Sequence, residues 1–172
     1  MSLVIDCLRE EHKAISRVLF QLLPLVQQVS SSPQQKVLIV NQLKEKLMQL
    51  DVLIGGAHHW VEEVMMQRLA QKSLAQASQQ LVNNMLADHE MLDVFSELLM
   101  LRISEYLADD NKKAALIRAV NQYVKQHIQH INREQMQLFK LCEDNLDAED
   151  WQMLNAIYPV AQSNGPSLKA VS

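Results

Sequence analysis

An all-α chain, folded as an up-down-up-down four-helix bundle with a short C-terminal helix, follows from three properties of the sequence. Gly and Pro are scarce, three and four of 172 residues, and aromatic residues make up only 5%. That composition favours long helices over a sheet built from β-branched and aromatic residues. Apolar residues recur at alternating steps of three and four, the spacing that lines one face of a helix. Breaker residues at Ser30-Ser31-Ser32-Pro33, Gln71 to Ser73, Asp109-Asp110-Asn111 and Asp144-Asn145-Leu146-Asp147 leave four segments, each long enough for a helix. The length suits one domain with one core, placed at residues 1–157 and followed by a flexible tail at 158–172.

The first segment carries the stripe Ile5, Leu8, His12, Ile15, Leu19 and Leu22, and Pro24 is expected to kink or end it. The second opens at Pro33, which suits a first helical position, and runs Val40, Leu43, Leu47, Leu50, Ile54, His58, Val61 and Met65, with Glu62 one turn past His58. Gly55 and Gly56 weaken this helix and could admit a close neighbour just before His58. The third carries Val82, Met85, His89, Leu92, Ser96, Leu99 and Ile103. In the fourth, Leu116, Val120, Tyr123, His127, His130, Glu134, Leu138 and Leu141 share a face. Asp147-Ala148-Glu149-Asp150 then reads as a capping box for a short helix through Trp151, Leu154 and Ile157 that Pro159 should stop.

Charge narrows the function. Sixteen basic and twenty acidic residues are mixed along the chain, for a net −4, so no cationic stripe exists to hold a phosphate backbone and nucleic acid is an unexpected partner. No apolar run approaches a membrane span and the first residues lack a secretory pattern, so a cytoplasmic location is expected. Cys7 and Cys142 suit buried thiols, and a disulfide is not favoured there.

Polar residues interrupt the core stripe of every helix. One histidine in such a stripe is ordinarily a hydrogen-bonded core residue, but four helices each supply one. Glu62 and Glu134 also fall on inner faces, where an unpartnered carboxylate costs several kcal/mol, and no Lys or Arg shares those stripes near them. Metal ions are the fitting partners. Imidazole with carboxylate suits iron, zinc or manganese, and six ligands exceed one tetrahedral site, so two ions fit better. The repeated spacing His58-x-x-x-Glu62 and His130-x-x-x-Glu134 lets each imidazole meet one ion while its carboxylate reaches both. Two glutamates against two ferrous ions leave room for a bridging oxo or hydroxo group or a diatomic ligand.

The strings His58-His59-Trp60-Val61-Glu62-Glu63, Asp88-His89-Glu90 and His130-Ile131-Asn132-Arg133-Glu134, followed by Leu138-Phe139, resemble the hemerythrin-like (HHE cation-binding) domains over residues 5–157. Glu149-Asp150-Trp151 resembles the ending of a cytoplasmic bacterial branch. The resemblance implies a non-haem di-iron centre with His12, His58, His89 and His130 as terminal iron ligands and Glu62 and Glu134 as bridges. His58 aligns with the pattern, and His59, one position off the stripe, is expected to point away. Asp93 stands where oxygen carriers place a further histidine, so a five-histidine carrier does not follow. The amino-terminal cysteine region of the iron–sulfur repair proteins is also lacking. His127 is a fifth ligand or, preferably, a hydrogen-bond partner of a ligand.

The implied function is binding of a small diatomic or peroxide ligand, dioxygen or nitric oxide among them, for sensing, storage or stress response. A peroxidase or nitric oxide reductase on the same centre, or iron or zinc handling, is the alternative. The protein partner is unknown. Met65, Met66, Met85 and Met136 read as core filler, Trp60 as packing, and Tyr123 as a hydrogen-bonding core residue or a donor to a bound ligand. Arg9-Glu10-Glu11 and residues 109–113 read as solvated surface, and Glu63 as facing outward.

Overall fold

The computed structural model describes residues 2–29, 32–55 and 57–163. They form helices α1 Leu3–Gln27, α2 Pro33–Gly55, α3 His58–Ala70, α4 Gln76–Ala108, α5 Lys113–Arg133, α6 Phe139–Asn145 and α7 Ala148–Ser163, with no strand among the described residues. A 3₁₀ turn, Asp110–Lys112, leads into α5, and a π-helical turn, Glu134–Leu138, joins α5 to α6. The all-α bundle expected from composition and periodicity is therefore present.

Contacts between distant segments set the directions. Arg9 near the start of α1 lies 3.9 Å from Glu143 near the end of α6, and Lys36 at the start of α2 pairs with Asp110 just past α4 at 2.6 Å. Asp88 in α4 meets Arg133 at the end of α5 at 2.6 Å. Each sequential pair of long helices thus runs antiparallel.

The stripe residues are the buried ones. Ile5, Leu8, Ile15, Leu19 and Leu22 of α1 are sealed, as are Val82, Met85, Leu92, Leu99 and Ile103 of α4 and Leu116 and Val120 of α5. Burying each such side chain contributes about 1.5–3 kcal/mol. They divide into two apolar clusters. One joins Ile15 to Val26 with Leu43, Leu50, Leu99 and Val120. The other joins Val4 to Leu8 with Val61, Met65, Val82, Phe139 and Leu154. A polar layer separates the two. Both cysteines are free thiols, Cys142 within the second cluster and Cys7 against it.

Five local expectations are revised. Pro24 does not end α1, which continues three residues past it to Gln27. Pro159 likewise lies inside α7, because burial of Leu154 and Tyr158 against the bundle holds the helix past it. Helix α7 therefore reaches Ser163, into the segment expected to be a flexible tail, and residues 164–172 lie outside the described ones. The second segment is two helices broken at the glycines. A Cβ on Gly55 would meet only Asp51 of its own helix, 3.4 Å away, so that glycine ends a helix and admits no close neighbour. Gly56 lies outside the described residues. Finally, Met136 is 75% exposed and fills no core, because it sits on the outer side of the π turn.

The capping box closes as expected. The Asp147 carboxylate accepts from the backbone N–H groups of Glu149 and Asp150, both at 3.0 Å, and the Asp147 N–H donates back to Asp150 at 3.1 Å.

Candidate metal centre

The polar layer is built by four helical segments. His12 sits midway along α1, His58 opens α3 with Glu62 one turn on, His89 lies midway along α4, and His130 ends α5 with Glu134 opening the π turn. All six are buried, the most accessible being His89 at 5%. The structure brings all six together.

Their arrangement is two histidine pairs flanking two carboxylates. The rings of His12 and His58 are 4.8 Å apart, as are those of His89 and His130. Glu62 turns Oε1 toward His12 Nε2 and His58 Nε2, at 3.3 and 3.4 Å, and Oε2 toward His89 Nε2, at 3.7 Å. Glu134 turns Oε2 toward His12 Nε2, at 3.2 Å, and Oε1 toward His130 and His89 Nε2, at 3.0 and 3.6 Å. Each carboxylate thus offers one oxygen to each histidine pair.

These contacts are short, yet none of them is a hydrogen bond. His12 Nε2, His89 Nε2, His130 Nε2 and both oxygens of Glu62 and Glu134 are buried without a hydrogen-bond partner. Buried polar atoms are rarely left so, and lone pairs converging on common points are what a cation satisfies. Nitrogen and carboxylate donors together suit first-row transition ions, so the residues present fit a metal site.

Electrostatics agree. Burial raises the Glu134 carboxyl, but His130, His12 and His89 outweigh it and hold the group ionised, well below the usual carboxylate range. Burial pushes His12 down, but Glu134 and Glu62 raise it to about 9, and His89 is raised by the same two carboxylates against the same opposition. Glu134 is thus a buried anion, and positive charge must accompany it.

A second set of side chains reaches the outer nitrogens of the four histidines. Glu11 Oε2 lies 2.9 Å from His58 Nδ1, and Tyr158 O–H donates to Glu11 Oε1 at 2.8 Å. Glu63 lies 3.5 Å from His89 Nδ1, Asp88 3.7 Å from His130 Nδ1, and the Gln135 amide 3.2 Å from His12 Nδ1. Phe139 stacks on the other side of His12, 5.6 Å between centroids. Such outer contacts orient imidazoles toward a metal.

Several residues differ from expectation. Glu11, read as solvated surface, is half-buried against His58. Glu63, read as outward, is 43% exposed yet faces His89. His59 does not point away: its ring stacks on His89 at 4.1 Å, and it offers a nitrogen within 4.8 Å of donor atoms of Glu62, His89 and His130. Burial, then His89 and His58, hold His59 neutral, well below the usual range. His127 belongs to neither group of donors, and its Nδ1 lies 3.0 Å from the Tyr123 carbonyl.

Sequence periodicity missed the outer residues because each lies off the stripe, about 100° around the helix. A signal was nevertheless there. Glu11, Glu63, Asp88 and Gln135 directly flank His12, Glu62, His89 and Glu134. The π turn was also hidden: the Phe139 N–H reaches back five residues to the Glu134 carbonyl, at the residue where the carboxylate enters the layer.

The family described as Hemerythrin HHE cation binding domain matches residues 3–146. No curated protein matches the chain.

Proposed function

From the premise that the chain belongs to the hemerythrin HHE cation-binding family, we propose that the layer holds two iron ions and binds a small ligand such as dioxygen, nitric oxide or peroxide. The observation that carries this reading is that Glu62 and Glu134 each divide their two oxygens between the His12–His58 pair and the His89–His130 pair. One ion per pair, with both carboxylates shared, satisfies every unpartnered inward-facing donor of the layer. Two irons there would supply one-electron redox at each ion and a coordination position for the small ligand.

The residues of this chain do the rest. Glu11 accepts the Nδ1 proton of His58, which leaves Nε2 with its lone pair turned inward. Phe139 and the two apolar clusters keep bulk water from the layer. A donor set of four imidazoles and two carboxylates favours ligand binding over the carboxylate-rich sites that activate oxygen. Sensing, storage or stress response in the cytoplasm is the biological use that fits. Among the described residues no helix is long and apolar enough to cross a membrane.

Metal analysis and the visible absorption spectrum of anaerobically purified protein, before and after exposure to air, test the reading. About two irons per chain and a new absorption band in air are the expected result. Metal-free, colourless protein of undiminished stability would make the histidines structural and end it.

A further inference from the structure

Beside the metal layer, α2, α3, α4 and α5 line a cavity of about 800 Å³. A diatomic molecule needs little more room than a water, about 30 Å³. Cavities of roughly 300–1,000 Å³ are those that enclose organic molecules. Its wall is apolar and aromatic where Leu47, Ile54, Leu92, Trp60 and Tyr123 contribute, and His59 and His127 lie on the side toward the metal layer. Asp51, Glu63, Asp93 and Glu97 also line it, against the single cation Lys44.

We propose that this cavity binds an organic ammonium ion, a protonated amine carried on a flat or aliphatic apolar body. Asp93 and Glu97 stand one turn apart on α4, and neither has an ion-pair partner among the described residues. Like charges at that spacing repel, and a cation seated between them relieves the repulsion. His127 adds a directional contact. Its Nδ1 faces the Tyr123 carbonyl, which can only accept, so Nδ1 carries the proton and Nε2 keeps a lone pair. Nε2 has no hydrogen-bond partner among the described residues, and an ammonium group, all donor, suits it. Trp60, 40% exposed, also lines the cavity, and an indole ring attracts a cation seated near it. A carboxylate or phosphate ligand would meet four like charges, and a bare metal ion would leave the apolar wall uncovered.

The test uses the protein as isolated, titrated by calorimetry with 2-phenylethylamine, 2-phenylethanol and phenylacetate, three probes of similar size and different charge. One amine per chain, bound about tenfold more tightly than the alcohol, with no detectable phenylacetate binding, is expected. Asp93→Asn combined with Glu97→Gln should reduce that preference several-fold and leave alcohol binding unchanged. Both positions are exposed, so folding survives the change. Equal affinity for all three probes, no saturable amine binding, or amine binding unaltered in the double variant would each overturn the proposal. So would elution as a dimer with Trp60 shielded from a soluble quencher, since a second copy would then occupy the cavity. The titration reads the cavity whatever metal is bound, so it fails or succeeds separately from the di-iron reading.

Discussion

Glu11 on α1 holds His58 on α3, Oε2 to Nδ1, at 2.9 Å. The relationship repeats around the bundle: Glu63 of α3 faces His89 of α4, Asp88 of α4 faces His130 of α5, and Gln135 of the π turn faces His12 of α1. Glu11 and Gln135 lie within hydrogen-bond distance of His58 and His12, whereas Glu63 and Asp88 approach His89 and His130 without a hydrogen bond. Glu11→Ala is expected to weaken iron binding about 10–100-fold, read by competition with a chelator. Tyr158→Phe, which removes only the phenol that donates to Glu11, should weaken it far less. Iron binding by Glu11→Ala at wild-type strength would show that the contact orients nothing.

Glu62→Ala and Glu134→Ala should each cost metal, measured as iron per chain after gel filtration, because each removes an oxygen from both histidine pairs. Glu63→Ala should cost distinctly less. Its carboxylate is 43% exposed and touches only the outer nitrogen of His89, at 3.5 Å. Equal losses in all three variants would contradict the division between shared carboxylates and an outer support.

Removing metal should lower the melting temperature, because Glu62 and Glu134 are fully buried and lose their cations. At a metal concentration near 100 times Kd, binding stabilises by about 2.7 kcal/mol, which for a chain of this length is a shift of roughly 5–10 °C. Scanning calorimetry with and without chelator measures it. An unchanged transition would mean that the histidines and glutamates balance one another without metal.

On the proposed two-ion reading, His59→Ala should loosen the ion beside His89 and His130 more than the other, since His59 belongs to that group of donors. His127→Gln should leave metal content unchanged. Rates of iron release to a chelator distinguish the two variants, and identical kinetics would reduce His59 to a stacked neighbour.

The junction at α7 should be acid-sensitive. Lys72 lowers the Asp147 carboxyl to about 2, and Lys72, with the Asp147 N–H and Arg68, lowers Asp150 against the opposing effect of burial. Carboxyl groups depressed by folding contribute stability above their ordinary value near 3.8, and that contribution is lost as pH falls from there toward 2. Trp151 fluorescence should therefore report loosening of α7 in that window, shifted to higher pH by Lys72→Ala. An acid transition that does not move in the variant would assign the sensitivity elsewhere.

Periodicity placed His12, His58, His89 and His130 on inward faces, because burial leaves a record along each helix where an apolar side chain would otherwise be. It placed His127 there too, and the resemblance supplied the choice of the six that meet in the layer. The capping box at Asp147 was equally legible, since its hydrogen bonds close within four residues. Pro159 misled because its local cost was outweighed by burial of Leu154 and Tyr158 against other helices.

Spacing within single segments was enough to specify the all-α class and most inward faces, but not the break at Gly55 or the π turn at Glu134, and the choice of candidate ligands came with the resemblance. Packing between helices had to supply the rest: which histidines pair, how Glu62 and Glu134 divide their oxygens, and why Glu11, Glu63, Asp88, Gln135 and His59 matter. Those relations depend on the rotation and stagger of one helix against another, which the spacing within a single helix does not encode.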